Sequence, residues 1–325
     1  MQSAKAEKFD IMEKIKRAIK SLPPLTWVVV ALTIFFGVVS PEFFAPANLA
    51  NVARRGSALW IISTMATLVM ISGGLDLSLG SVITFSGVVL AILLQNGWGA
   101  GPACIAAILS GTFVGFINGF LVSTFRLPAF IVTLGTMNVF AGLAIALTET
   151  KAIFISDPTM VFIGAGSIAG IPVPVLVSIL VFIISYILLH HTSFGRYLVA
   201  IGENESGAHL SGVNTKRATW LVFVYSSTMA ALAGLVLASR IQSADPTVGV
   251  GWEFDAVAAT IMGGTLRGKG KGDITTTIVG FLLIIILRNG LTIIGVPVEW
   301  RSAVVGVFLL AGIIFDITIR RREAS

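Results

Sequence analysis

Charge is scarce in this chain. Asp, Glu, Lys and Arg make up 12% of its 325 residues, against 55% hydrophobic residues and a mean hydropathy of +0.94. A soluble domain carries roughly twice that share of charge, so a soluble globular protein is excluded and the chain reads as an integral membrane protein. Cysteine is nearly absent too: Cys104, within an apolar run, is the lone thiol, and no disulfide framework exists. The histidines are His190, His191 and His209, and no His/Cys/Asp/Glu group has metal-ligand spacing. No Ser/His/Asp arrangement stands out either, so metalloenzyme and membrane-protease chemistry have no residues to rest on. Catalytic residues, metal and cofactor are accordingly not expected. The stretch GGTLRGKGK at Gly263–Lys271 comes near a nucleotide-binding loop, but glycine stands at 270 where Ser or Thr must hold Mg²⁺. It reads instead as a basic, flexible turn. The net charge of +6 would suggest nucleic acid in a soluble protein; here the basic residues cluster at segment ends, which is a topology signal.

What is abundant is apolar sequence in pieces of near-spanning length, where about 20 residues cross the hydrocarbon core. The pieces are Leu25–Ser40, Gly56–Ile71, Gly80–Leu94, Pro102–Phe125, Pro128–Leu147, Pro172–His190, Ala218–Ser239, Phe254–Met262, Ile274–Leu287 and Ser302–Ile319. The expected fold is therefore all-α, with about ten transmembrane helices, some short or broken; Phe254–Met262 has the length of a half-helix. With the N-terminus inside, sixteen Lys and Arg fall on the cytoplasmic side. Six fall outside: Arg54, Arg55, Lys151, Arg240, Arg288 and Arg301. That asymmetry favours an even number of crossings, with both termini cytoplasmic. Ahead of the first piece, residues 1–24 place Phe9, Met12, Ile15 and Ile19 near one helical face with lysines opposite, as an amphipathic helix on the inner leaflet would. Residues 25–319 form the membrane domain and 320–325 a basic tail.

Glycine, with 34 residues, is plentiful. Gly111, Gly115 and Gly119 line one face of a helix, which lets a neighbouring backbone approach closely. Gly87–Gly97 (GVVLAILLQNG) and Gly280–Gly290 (GFLLIIILRNG) echo each other, each after a Gly-Gly pair, as an internal duplication would. Asp76 and Ser78, in GGLDLSLGS, are placed to cap the helix that follows, at a cytoplasmic boundary where a carboxylate is affordable. Asn118, Thr133, Thr136 and Asn138 put amides and hydroxyls inside apolar spans, where they either bond a neighbouring helix or line a polar path. Glu253, Asp255, Glu299, Arg240 and Arg301 gather near the outer ends, either pairing with one another or forming a rim for an external partner.

The longest polar interruption is Phe194–Arg217, within a cytoplasmic loop of about 191–217. Loops of this length usually carry function or are disordered. Its scattered Ala200, Ile201, Ala208, Leu210 and Val213 argue for a docking element gripped by a soluble partner.

GGLDLSLGS, Asn118-Gly119, LPAFIVTLGTM (Leu127–Met137), FGRYLVAIGENESGAHLSGVNT (Phe194–Thr215), EFDAVAA (Glu253–Ala259) and Gly263-Gly264-Thr265 occur in an order that resembles one family. It comprises the permease subunits of bacterial ABC importers for monosaccharides, the ribose/xylose/arabinose/autoinducer-2 group. The resemblance runs from about Phe43 to Asp316. It implies a bacterial inner-membrane subunit that hydrolyses nothing itself. Implied partners are a second permease chain, an ABC ATPase, a periplasmic sugar-binding protein, membrane lipid and a sugar substrate, with no nucleic acid. Coupling to the ATPase would fall to Gly202-Glu203-Asn204-Glu205-Ser206-Gly207-Ala208-His209-Leu210-Ser211-Gly212-Val213, with the coupling helix at about Asn204–Val213. The chain departs from the family at Leu266–Asp273, where Lys269 and Lys271 replace small residues. Two alternatives stay open: a branched-chain amino-acid ABC permease, and an ATP-independent secondary carrier. The carrier is disfavoured because Asp76, Glu149 and Asp316 fall near segment ends rather than deep in the bundle.

Overall fold

The computed structural model describes residues 24–265, 270–297, 299–301, 303–308 and 310–311. The amphipathic N-terminal segment, residues 266–269 of the basic turn, most of the last span and the basic tail lie outside them. Helix α1 is Pro24–Val39, and a 3₁₀ turn, Pro41–Phe44, leads into α2, Pro46–Ile71. Then come α3 (Leu79–Gln95), α4 (Ala100–Phe125), α5 (Ala129–Thr148), α6 (Pro158–Ala165) and α7 (Val173–His191). The described helices end with α8 (Ser193–Leu210), α9 (Thr215–Ile241), α10 (Trp252–Met262) and α11 (Ile274–Ile293), and helical backbone resumes over 299–301, 303–308 and 310–311. Helices α4, α5, α7, α9 and α11 are long and apolar enough to cross a membrane, and α1 and α3 are shorter apolar helices. The chain is a multi-pass helical membrane protein.

Proline sets several of the starts. Pro46 and Pro158 open their helices, where a missing N–H costs nothing. Pro128 is the N-cap of α5. Helix α10, with 11 residues, rises about 16 Å at 1.5 Å per residue, half the hydrocarbon core, in keeping with a half-helix. Helix α6 was not anticipated. It has 8 residues, and Asp157 caps it by accepting from the N–H groups of Thr159 and Met160; the Asp-Pro pair was the signal for it. The all-α expectation needs one small addition. Two-residue antiparallel ladders join β1 (Ile153–Phe154) to β4 (Ser243–Ala244), and β2 (Ser167–Ile168) to β3 (Ile171–Pro172).

Hydrocarbon is as apolar as leucine, so helices in a bilayer associate through close packing and hydrogen bonds rather than through burial. Helix α9 is the hub. The glycine stripe of α4 faces it: a methyl group at Gly111 would lie 2.5 Å from Ala231 Cβ, and one at Gly115 or Gly119 would lie 2.6 Å from the Phe223 or Trp220 carbonyl oxygen. Thr112 and Thr228 share a hydroxyl hydrogen bond across the same seam, 2.9 Å. On another side of α9, Ser86 of α3 donates to the Ala231 carbonyl. Helix α2 is buried along Gly56–Ile71 apart from Trp60, whose ring stacks on Phe281 of α11 and tilts against Phe182 of α7. Thr67 of α2 bonds Thr260 of α10 and Thr277 of α11 at 3.1 and 2.8 Å. The suspected duplication has a partial counterpart: the α2 and α10 ends both close on a left-handed glycine, Gly73 and Gly264, each at φ 86°. Gly97 ends α3, however, whereas Gly290 lies inside α11.

Gly115→Leu should force α4 and α9 apart and destabilise the fold by about 1–3 kcal/mol. Thermal unfolding in detergent should show a lowered midpoint, with Gly101→Ala, in open space, unchanged.

Candidate coupling, network and cavity sites

Five of the residues singled out in the sequence meet in one buried network. Between α2 and α3 the chain is non-helical over 73–78, yet Asp76 is only 1% exposed. Asp76 Oδ1 accepts from the Ser78 N–H (2.9 Å) and the Ser78 hydroxyl (2.6 Å), and Oδ2 accepts a longer bond from Ser226 of α9 (3.4 Å). Asn118 of α4 donates to Ser78 Oγ at 2.9 Å, and Thr136 of α5 donates to Asn118 Oδ1 at 2.7 Å. Thr133 donates to the Leu75 carbonyl at 3.1 Å. The break between α2 and α3 is thus tied to α4, α5 and α9 at once. Non-helical backbone within a membrane bundle is tolerated where its polar groups are met inside the protein; here Thr133 meets the Leu75 carbonyl and Asp76 the Ser78 N–H, while Asn118 and Ser226 hold the side chains of the break.

This corrects the reading of Asp76 and Ser78 as a boundary cap. Ser78 does occupy the N-cap position of α3, but its side chain makes no capping bond. Ser226 stands near the middle of the 27-residue α9, so its bond to Asp76 places the carboxylate well inside the bundle. The argument against a carrier drawn from acids lying at segment ends therefore fails for Asp76. Glu149 does end α5 and pairs on the surface with Lys151, while Asp316 lies outside the described residues. Asn138 does not join the network; it is exposed on α5 and donates back to the Leu134 carbonyl. Ser226 was missed, because a serine in an apolar helix gives no sign of facing a carboxylate 150 residues away.

The polar stretch expected to be a long loop is mostly helix. Thr192 caps α8, and Asn204, in extended conformation (φ −159°, ψ 100°), breaks it. The Asn204 side chain then accepts from the Gly207 N–H at 2.9 Å, restarting the helix that ends at Leu210. Asn214 in turn caps α9 by accepting from the Arg217 N–H. Ile201, Ala208 and Ala218 pack together, while Leu210 is almost fully exposed. A cavity of about 550 Å³ lies between this element and the bundle, lined among others by Gly73, Gly74, Arg126, Glu205, His209 and Lys216.

Four arginines line a different cavity, of about 270 Å³. Arg55, Arg240, Arg288 and Arg301 surround it with Trp252, Asp255, Asn289 and Thr292. All four belong to the set counted as outside. Asp255 is the one carboxylate in the lining, and it accepts from Arg288 Nη2 at 2.6 Å. Arg301 bonds the Val296 carbonyl and the Thr292 hydroxyl. The Nε groups of Arg240 and Arg288 and the Asn289 amide nitrogen are buried without a hydrogen-bond partner among the described residues. Glu253 departs from the expected rim: it is buried against Gly80 of α3 and accepts from the Gly251 N–H. Arg55 and Arg288 were not named with that group, because the cavity is assembled from five separate stretches of chain. Among the described residues no group of His, Cys, Asp and Glu could hold a metal.

A bundle of spanning, short and broken helices, with a helical element folded against one end, is an architecture on which a permease can be built. A family model described as "branched-chain amino acid transport system / permease component" matches residues 48–312, and the chain belongs to that family. The ribose import permease protein RbsC of Bacillus subtilis (strain 168) is 36% identical over 287 residues, covering 88% of this chain and 89% of the relative. RbsC of Escherichia coli (strain K12) is 35% identical over 88% of this chain and 92% of its own. The D-allose transport system permease protein AlsC of the same strain is 34% identical over 91% and 92%. A metal-chelate type ABC transporter solved in an inward-facing conformation covers 90% of this chain and 99% of its own, with a TM-score of 0.50 and 17% identity, a likeness of fold.

Removing the Asp76 carboxylate strands its donors, and each buried unpaired group costs about 1–3 kcal/mol. Asp76→Ala should therefore destabilise by about 2–4 kcal/mol, Asn118→Ala by somewhat less, and Asn138→Ala hardly at all. Denaturant unfolding of the three variants in detergent checks the order.

Proposed function

We propose that this chain is the transmembrane subunit of an ATP-driven ABC importer that carries a monosaccharide or related polyol across a bacterial inner membrane. The observation that carries the reading is the end-to-end similarity to the ribose and allose permeases. The substrate follows those relatives; the amino-acid wording of the family model supplies the alternative, a branched-chain amino acid. The order of charges supports ten crossings with both termini cytoplasmic, and puts the Gly73 end inside and the arginine cavity outside.

In this reading the ATPase sits beneath Asn204–Val213, beyond the break in α8. Glu205–Leu210 is short, helical and presents the exposed Leu210, the form of a helix laid into a groove. The chain hydrolyses nothing, and a second permease copy completes the pathway. Of the candidate path residues, Asn138 faces outward and can meet the solute directly. Asn118, Thr133 and Thr136 are satisfied by one another and by Ser78 and Leu75, and so shape the wall instead. The arginine cavity, rich in positive charge with one carboxylate to offset it, suits acidic side chains of a binding protein docking from outside. Complementary charge of this kind acts mainly on encounter rate.

The reading is tested by co-purification with the genomically adjacent ATPase, wild type against a chain whose Asn204–Val213 is replaced by a Gly/Ser linker. Capture by the wild type and loss in the folded variant is the expected result; equal capture, or none, overturns it. Arg55→Glu, at an exposed position, should lower the association rate of the cognate binding protein at least tenfold at low salt, by surface plasmon resonance on nanodiscs, with the deficit shrinking as salt is raised.

A further inference from the structure

Helix α8 meets the bundle where three stretches of backbone approach closely. A methyl group at Gly202 would run into the Ile71 carbonyl oxygen and come within 3.1 Å of Gly270 Cα. From the other direction, a methyl group at Gly270 would lie 2.5 Å from the Val199 carbonyl oxygen and collide with the Glu203 side chain. Ile71 is the last residue of α2, and the break that carries Asp76 follows it. Gly270 lies between α10 and α11, three residues before Asp273. Asp273 caps α11 by accepting from the Thr275 N–H, and its other oxygen lies 3.3 Å from His190 Nε2 at the end of α7. The first half of α8 therefore bears on both breaks in the bundle, the one that begins at Gly73 and the one that begins at Gly264.

Side chains can absorb a displacement by changing rotamer; backbone packed against backbone cannot, so it passes the displacement on. The extended Asn204 separates this bearing surface from Glu205–Leu210, so α8 has one half for each task. We infer that Gly202 is a positioning residue for transport, the point at which movement of α8 is handed to the 73–78 break and the turn before α11. This rests on the reading that Glu205–Leu210 meets the ATPase.

The test uses the complete transporter in nanodiscs, with Cys104→Ser and a reporter thiol, Leu75→Cys, inside the break. The maleimide labelling rate is measured without nucleotide and after trapping with ATP and vanadate. Trapping should change the rate at least threefold in the background protein and in Gly101→Ala. In Gly202→Ala and Gly270→Ala the change should vanish while the ATPase still co-purifies within twofold of the background. If Gly202→Ala does not assemble, Gly270→Ala decides. An unchanged response in either assembled variant overturns the inference, as does a background protein whose rate ignores trapping. Loss of the ATPase from both variants overturns it too, since the junction would then serve docking. Should the background protein capture no ATPase, the importer reading fails and the inference with it.

Discussion

A carboxylate that accepts three hydrogen bonds inside an apolar bundle holds the interior of this protein in place. Without Asp76 the residues between α2 and α3 would have backbone and hydroxyl groups facing hydrocarbon-like surroundings with nothing to bond. With it, a non-helical stretch is stable at depth, α3 can begin well inside the bundle, and α4, α5 and α9 are fastened to the same point through Asn118, Thr136 and Ser226. The alternative, running the chain to the surface and back, would have given two uninterrupted spans and no internal joint. Transporters commonly build their binding sites at breaks of this kind.

Close approach supplies the second constraint. Helix α9 is packed on several sides by small residues, so its position is fixed by backbone rather than by interlocking side chains.

Much of this was legible in the sequence, and for identifiable reasons. The helices announce themselves through apolar runs bounded by Pro and Gly, and the Gly111–Gly119 spacing foretold a tightly packed face. The polar residues worth watching, Asp76, Ser78, Asn118, Thr133 and Thr136, stood out because polarity is costly where they lie. Their depth did not. A stretch such as SGGLDLS reads the same whether it turns at the surface or re-enters the bundle, since periodicity is silent on depth. The arginine cavity was half legible, as a charge count at one side of the membrane, but its assembly from α2, α9, α10, α11 and the segment beyond is a property of packing. Helix α8 was mistaken for a loop because its amphipathic face is short and interrupted at Asn204.

The saturation of the Asp76 network has a bearing on solute handling. Ser78 joins Asn118 to Asp76, Thr136 bonds Asn118 and Thr133 bonds the Leu75 carbonyl, so these residues offer a solute few unclaimed hydrogen-bonding groups. On the importer reading proposed above, a wall of that sort holds a passing solute weakly and leaves the choice of solute to the protein that delivers it, so that throughput and selectivity become properties of different molecules.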